Sequence, residues 1–76
     1  MFLEVSEAKY LDNYRIILTF NNGETKTVDL ENELNGSVYI PLRKQDYFKN
    51  FRVKYNTVEW ENGADYAPEY LYSIGI

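Results

Sequence analysis

Neither cysteine nor histidine occurs in this chain of 76 residues. Their absence removes disulfide staples, thiolate and imidazole metal ligands, and every nucleophile that depends on a histidine base. Most hydrolase and oxidoreductase chemistry goes with them, and no metal or cofactor is expected. There is no run of about eighteen apolar residues that could cross a membrane, and no basic, apolar leader in the opening Met-Phe-Leu-Glu-Val-Ser-Glu. The expected location is the cytoplasm. Basic residues are scarce: 8 Lys and Arg face 12 Asp and Glu, for a net charge of −4 and a pI near 4.6, which works against a phosphate-binding face. Arg43, Lys44 and Lys49 come nearest to a basic stripe, but Asp46 interrupts them, so direct nucleic-acid binding is not expected. Glycine-rich phosphate loops, G-x-S-x-G and Cys-x-x-Cys are missing as well. With no Pro- or Ser-rich linker, low-complexity tract or repeat, residues 1–76 read as one domain.

What is present suits a folded core. Apolar residues make up 45% of the chain and aromatics 17%, although a chain this short buries only about 60% of the surface its unfolded form exposes. Residues 3–11 place Leu3 and Val5 on one parity and Ala8 and Tyr10 on the other, which reads as a strand with a bulge near Ser6 and Glu7. Residues 14–20 form the clearest strand, with Tyr14, Ile16, Leu18 and Phe20 alternating with Arg15, Ile17 and Thr19. Asn21-Asn22-Gly23 then turns the chain into residues 24–30. A two-residue Asn22-Gly23 loop would set Ile17 opposite Val28 and split the apolar residues between faces. A three-residue loop with Gly23 in the left-handed region pairs Ile16 with Val28 and Tyr14 with Leu30, and collects them. Gly23 is thus a backbone requirement.

Asp29 leads into a short turn in which Leu30 and Leu34 face inward and Gly36 can end the turn at positive φ. Val38 and Ile40 are expected to be extended, because a residue before proline is pushed out of the helical region. Residues 42–51 read as a helix burying Leu42, Tyr47, Phe48 and Phe51. Residues 51–55 and 58–60 form a second hairpin, through Tyr55-Asn56 or Asn56-Thr57, with Phe51, Val53, Tyr55, Val58 and Trp60 on one face. Arg52 and Lys54 then oppose Glu59 or Glu61. Glu61-Asn62-Gly63-Ala64-Asp65 is a turn built on Gly63, and Pro68 opens a last helical turn over residues 68–72. The expected class is α+β: one two-layer domain of antiparallel hairpins and short helices in the order β-β-β-α-β-β-α.

Taken in order, Tyr14, Phe20-Asn21-Asn22-Gly23-Glu24, Val28-Asp29-Leu30, Pro41-Leu42, Tyr47-Phe48, Val58, Trp60-Glu61-Asn62-Gly63-Ala64-Asp65, Pro68 and Leu71-Tyr72 resemble the bacterial family of unknown function DUF2442 over nearly the whole chain. The resemblance implies a two-layer fold of three strands, helix, two strands and helix, the order already read from the residues. It implies no activity and no catalytic residue. Some relatives carry a helix-turn-helix domain after this one. Others are encoded beside a second small protein, an arrangement suspected of being a toxin and antitoxin pair. Here the sequence ends at Ile76, so a repressor role is not expected of this chain alone. Lys44-Gln45 departs from the aspartate and proline that often open the helix in relatives, a lost cap that costs about 1 kcal/mol.

Asp29 and Asp65 both end strands at turns and, where two such carboxylates converge, could serve acid–base chemistry or hold magnesium. The simpler expectation makes both of them caps: Asp29 for the turn over residues 30–34, and Asp65 as an Asx turn before Pro68. Glu31, Glu33, Glu59, Glu61 and Glu69 read as solvated surface without the spacing of a calcium loop. Trp60 belongs to the core. Eight tyrosines are the least usual feature, and Tyr66, Tyr70 and Tyr72 crowd a C-terminal helix too short to bury them all. Tyrosine suits interfaces, where its ring supplies contact area and its hydroxyl stays wet, so these three are the candidate interface. The functional expectation is a non-catalytic interaction or regulatory module that binds a protein partner or a second copy through an open strand edge and these tyrosines. The small protein encoded next to some relatives is the first candidate partner. The alternatives are an enzyme using Asp29, Asp65 and Tyr66, and the sensory half of a transcriptional regulator.

Overall fold

The computed structural model describes residues 2–76. Strands β1 (Val5–Asp12), β2 (Arg15–Phe20) and β3 (Thr25–Asp29) form an antiparallel sheet in sequence order. The β2–β3 turn fixes its register. Phe20 N–H donates to Glu24 O at 2.8 Å and Gly23 N–H to Phe20 O at 3.0 Å, so Asn21-Asn22-Gly23 is a three-residue loop. Gly23 sits at φ +87°, a region that penalises a side chain. Ile16 therefore falls opposite Val28, and Leu30 N–H reaches Tyr14 O at 2.8 Å. Ile16, Leu18, Phe20 and Val28 are all buried on one face. β1 joins through a bulge at Ser6, pairing Val5 with Phe20 but Glu7 with Thr19, and a second irregularity falls at Leu11. The first bulge brings Ala8 and Tyr10 onto the core face beside Val5, which accounts for the switch of parity along this strand.

The chain then makes two 3₁₀ turns, Glu31–Glu33 and Ile40–Arg43, before helix α1 (Gln45–Phe48). The helix expected over residues 42–51 is thus four residues long, and the extended piece expected at Val38 and Ile40 is a turn. The causes are local. Pro41 occupies the first turn of a 3₁₀ helix, where its missing N–H has no partner to lose. Lys44, at φ −81° and ψ 121°, then interrupts the helical path and offers α1 no side-chain cap. Leu42 and Phe48 are buried nonetheless.

Strands β4 (Arg52–Lys54) and β5 (Thr57–Glu59) form a second sheet, turning through Tyr55-Asn56 at φ +53° and +70°. Val53 pairs with Val58 and Arg52 with Glu59, the latter pair linked at 3.3 Å. Val58 and Trp60 are buried, but Val53 and Tyr55 are exposed, against the expectation of five apolar residues on one covered face. All three residues of β4 are exposed, and the left-handed turn carries Tyr55 out beyond the strand.

A second Asn-Gly loop follows. Trp60 N–H donates to Ala64 O and Gly63 N–H to Trp60 O, each at 2.9 Å, with Gly63 at φ +86°. Asn62 Oδ1 accepts Ala64 N–H at 3.1 Å as Asn22 Oδ1 accepts Glu24 N–H at 3.0 Å. The aromatic-x-Asn-Gly turn is therefore built twice, a small repeat that the linear reading passed over. Helix α2 (Pro68–Ile74) follows, buries Leu71 and lies against β3. At the centre, Trp60 Nε1–H donates to Phe48 O at 2.6 Å, and its ring meets Phe48, Phe51 and Tyr66. Leaving that indole N–H buried without an acceptor would cost about 1–3 kcal/mol. Among the described residues no helix is long and apolar enough to cross a membrane.

Candidate interaction site

Three tyrosine rings lie one on another beside the second Asn-Gly loop. Tyr66 stacks on Tyr39 at 4.8 Å and 22° and on Tyr70 at 6.1 Å and 18°. Each hydroxyl has a fixed acceptor: Tyr39 donates to Asp65 O at 2.8 Å, Tyr66 to Glu33 O at 2.8 Å, and Tyr70 to Glu33 Oε1. The loop between β3 and α1 thus supplies Tyr39 and Glu33, and the segment after β5 supplies Tyr66 and Tyr70. Asn62 Nδ2 ties the two together by donating to Val38 O at 2.8 Å.

The three expected interface tyrosines do not share a surface. Tyr66 is 9% exposed and forms the middle of the stack, packed edge-on against Trp60. Burial, reinforced by Tyr39, Glu33 and Tyr70, pushes its phenol far above the usual value. It is a core ring, because it lies before Pro68 and outside the helix whose spacing made it look peripheral. Tyr72 turns to the other side of α2. Its ring meets Phe20 at 5.2 Å, its hydroxyl donates to the Glu24 carboxylate, and Lys26 Nζ lies 3.7 Å above the ring. It clamps the helix to the β2–β3 hairpin. Tyr70 alone presents an open ring, 40% exposed, and its hydrogen bond to Glu33 raises its phenol pKa.

The aspartates also part company. Asp29 Oδ1 accepts Glu31 N–H at 3.0 Å, a turn-forming bond at the entry to the first 3₁₀ turn. Asp65 makes no cap, contrary to expectation. α2 begins after Ala67 with no side-chain cap bond, because the N-cap position falls on Ala67, whose side chain has no acceptor, two residues beyond the Asp65 carboxylate. Asp65 instead acts through its main chain, bridging to Glu59 and accepting from Tyr39. Asp29 faces Arg15, whereas Asp65 faces Tyr39 and helps to raise that phenol after burial. Among the described residues no group of three or more carboxylates is placed to hold a metal ion.

Tyr39, Ile40 and Val38 were not anticipated as site residues. Val38 and Ile40, 42% and 50% exposed, flank Tyr39 in sequence. The fold and this cluster define a small α+β protein with a hydrogen-bonded tyrosine stack at the edge of its core. The chain belongs to the family described as protein of unknown function DUF2442, whose model matches residues 5–76. No curated protein and no solved structure matches it.

Proposed function

We propose that this chain is a non-catalytic module that binds another protein through the exposed ring of Tyr70 and the Tyr39–Tyr66 stack it lies on, together with the exposed Val38 and Ile40 on either side of Tyr39 in sequence. The observation that carries this reading is the stack itself. Exposed aromatic side chains normally lose rotamer freedom on binding, and here the hydroxyls of Tyr39, Tyr66 and Tyr70 are already tied to Asp65 and Glu33, so that loss is largely absent. Interfaces concentrate binding energy in such anchors. Support for a non-catalytic role is that Asp29 and Asp65 serve separate neighbourhoods while the Tyr66 hydroxyl is held by a main-chain carbonyl. The protein encoded beside some relatives is the partner to test first.

The test pairs Tyr70→Ser with Ile40→Ser, both at exposed positions, and assays capture of that partner. The expected result is a folded chain by circular dichroism that no longer retains the partner. Undiminished capture by the folded double variant would place the interface elsewhere. Tyr66→Ser serves as the contrast and unfolds or strongly destabilises the chain, because the ring is part of the core.

A further inference from the structure

The outer edge of β1 carries a pattern complementary to itself. Phe20 bonds Glu24 and Leu30 bonds Tyr14, so by alternation Ile16, Leu18 and Phe20 turn their main-chain groups to β3 while Ile17 and Thr19 turn theirs to β1. Their partners Glu7 and Lys9 bond inward, and Ala8 and Tyr10 direct N–H and C=O to the outside. Val5 also points outward, and Asn56 O takes its N–H at 2.9 Å. The β4–β5 hairpin approaches β1 beside that bond, but no further main-chain hydrogen bond reaches this edge among the described residues. Glu7 and Lys9 flank Ala8, one of each sign, with both side chains exposed.

We propose that the chain forms a homodimer by antiparallel pairing of β1 with β1 of a second copy, the two-fold axis passing at Ala8. Charge selects the axis. Placed at Ala8, it sets Glu7 opposite Lys9 of the second copy and repeats the pair by symmetry. Placed at Glu7 or Lys9, it opposes like charges, and placed at Tyr10 it leaves Lys9 against Leu11. At the axis the two Ala8 residues exchange N–H···O bonds, and the charged pairs occupy the flanking non-hydrogen-bonded positions, where side chains approach most closely. Pairing runs from Ser6 to Tyr10, because Asn56 already fills the edge at Val5. The register shift at Leu11 ends the regular pairing of the second copy's strand at that same point. Leu11, 41% exposed, is thereby brought to the Tyr55–Asn56 turn of the other copy, where Tyr55 is 79% exposed. Tyr55 holds φ +53°, a conformation that costs a tyrosine about 1 kcal/mol or more, and the contact covers a ring that the single chain leaves in water. This surface is separate from the tyrosine stack and does not depend on it.

Sedimentation velocity of the full chain over rising concentration tests the proposal. The expected result is a reversible dimer that weakens with salt. Glu7→Lys and Lys9→Glu should each weaken it by about tenfold, and the two together should restore it, because opposite charges again face each other. Ala8→Pro should abolish it while preserving the fold, since that N–H is unused in the single chain and an edge strand tolerates proline there. A chain that stays monomeric, a dimer indifferent to the single reversals, one not rescued by the double exchange, or one lost to Tyr70→Ser instead would each overturn the proposal.

Discussion

The two edges of the three-stranded sheet are finished differently. Along β3, Thr27 and Ile76 exchange two main-chain bonds, at 3.0 and 2.9 Å, so the chain's own C-terminal residue acts as a partial fourth strand. Lys26 secures it by donating to Tyr72 O at 3.0 Å and lying over the Tyr72 ring. Gly75 makes the approach possible, because a Cβ there would stand 2.9 Å from Lys26 Cβ. Along β1 the chain provides one bond, from Asn56, and two irregularities at Ser6 and Leu11. Unpaired edges invite pairing with other chains, and bulges and charges are the usual devices that discourage it. One edge is thus bonded to the chain's own tail, while the other, though the β4–β5 hairpin approaches it and bonds it at Val5, keeps the main-chain groups of Ala8 and Tyr10 unused.

The largest effect should come from Gly75→Val, which forces the added side chain against Lys26. A loss of about 1–3 kcal/mol is expected, read as a lower denaturant midpoint together with faster amide exchange at Thr27. An unchanged midpoint would mean that the tail contributes little to closing this edge. Next, Lys26→Ala removes the hydrogen bond to Tyr72 O and the cation–ring contact and should lose about 1 kcal/mol. Glu7→Ala on the other edge should stay within about 0.5 kcal/mol of the parent. Equal losses would erase the distinction.

The clamp on β3 should also show in the pH dependence. The hydrogen bond from Tyr72 raises its own phenol and lowers the Glu24 carboxyl. Stability from the raised phenol is fully present below the ordinary value of 10.0 and is lost as pH rises through the folded value. Stability from the lowered carboxyl is present above its ordinary 4.5 and is lost as pH falls through the folded value. The midpoint should therefore hold across neutral pH and decline at both extremes, and Tyr72→Phe should flatten that part of the alkaline limb which Tyr39, Tyr66 and Tyr70 do not supply and that part of the acid limb which Asp12 does not. The smallest perturbation is none at all. At a concentration where the chain is monomeric, the amides of Ala8 and Tyr10 should exchange without any opening of the fold, whereas the Thr27 amide is protected.

The hairpin around Gly23 could be read from the sequence because its determinants lie within a few residues of one another, and because one register alone gathers Ile16 and Val28 on a common face. The order of strands and helices followed from the same local signals. The tyrosines could not be sorted in this way. The partners of Tyr66, Tyr70 and Tyr72 lie 33, 37 and 48 residues away at Glu33 and Glu24, and no local pattern says which ring turns inward. Tyr39 escaped notice for the same reason, its acceptor Asp65 being 26 residues distant. The helix over residues 42–51 failed differently. Its apolar spacing was real, since Leu42 and Phe48 are buried, but two short helical pieces separated by Lys44 place those side chains as well as one helix would.

Trp60 gives the chain an internal light source. It is the single tryptophan among eight tyrosines, so excitation absorbed by the phenols drains toward one indole that is sealed from water. Phe48 in α1, Phe51 ahead of β4 and Tyr66 ahead of α2 all touch that ring. The colour of its emission therefore reports whether these separate pieces have met, with no dye attached.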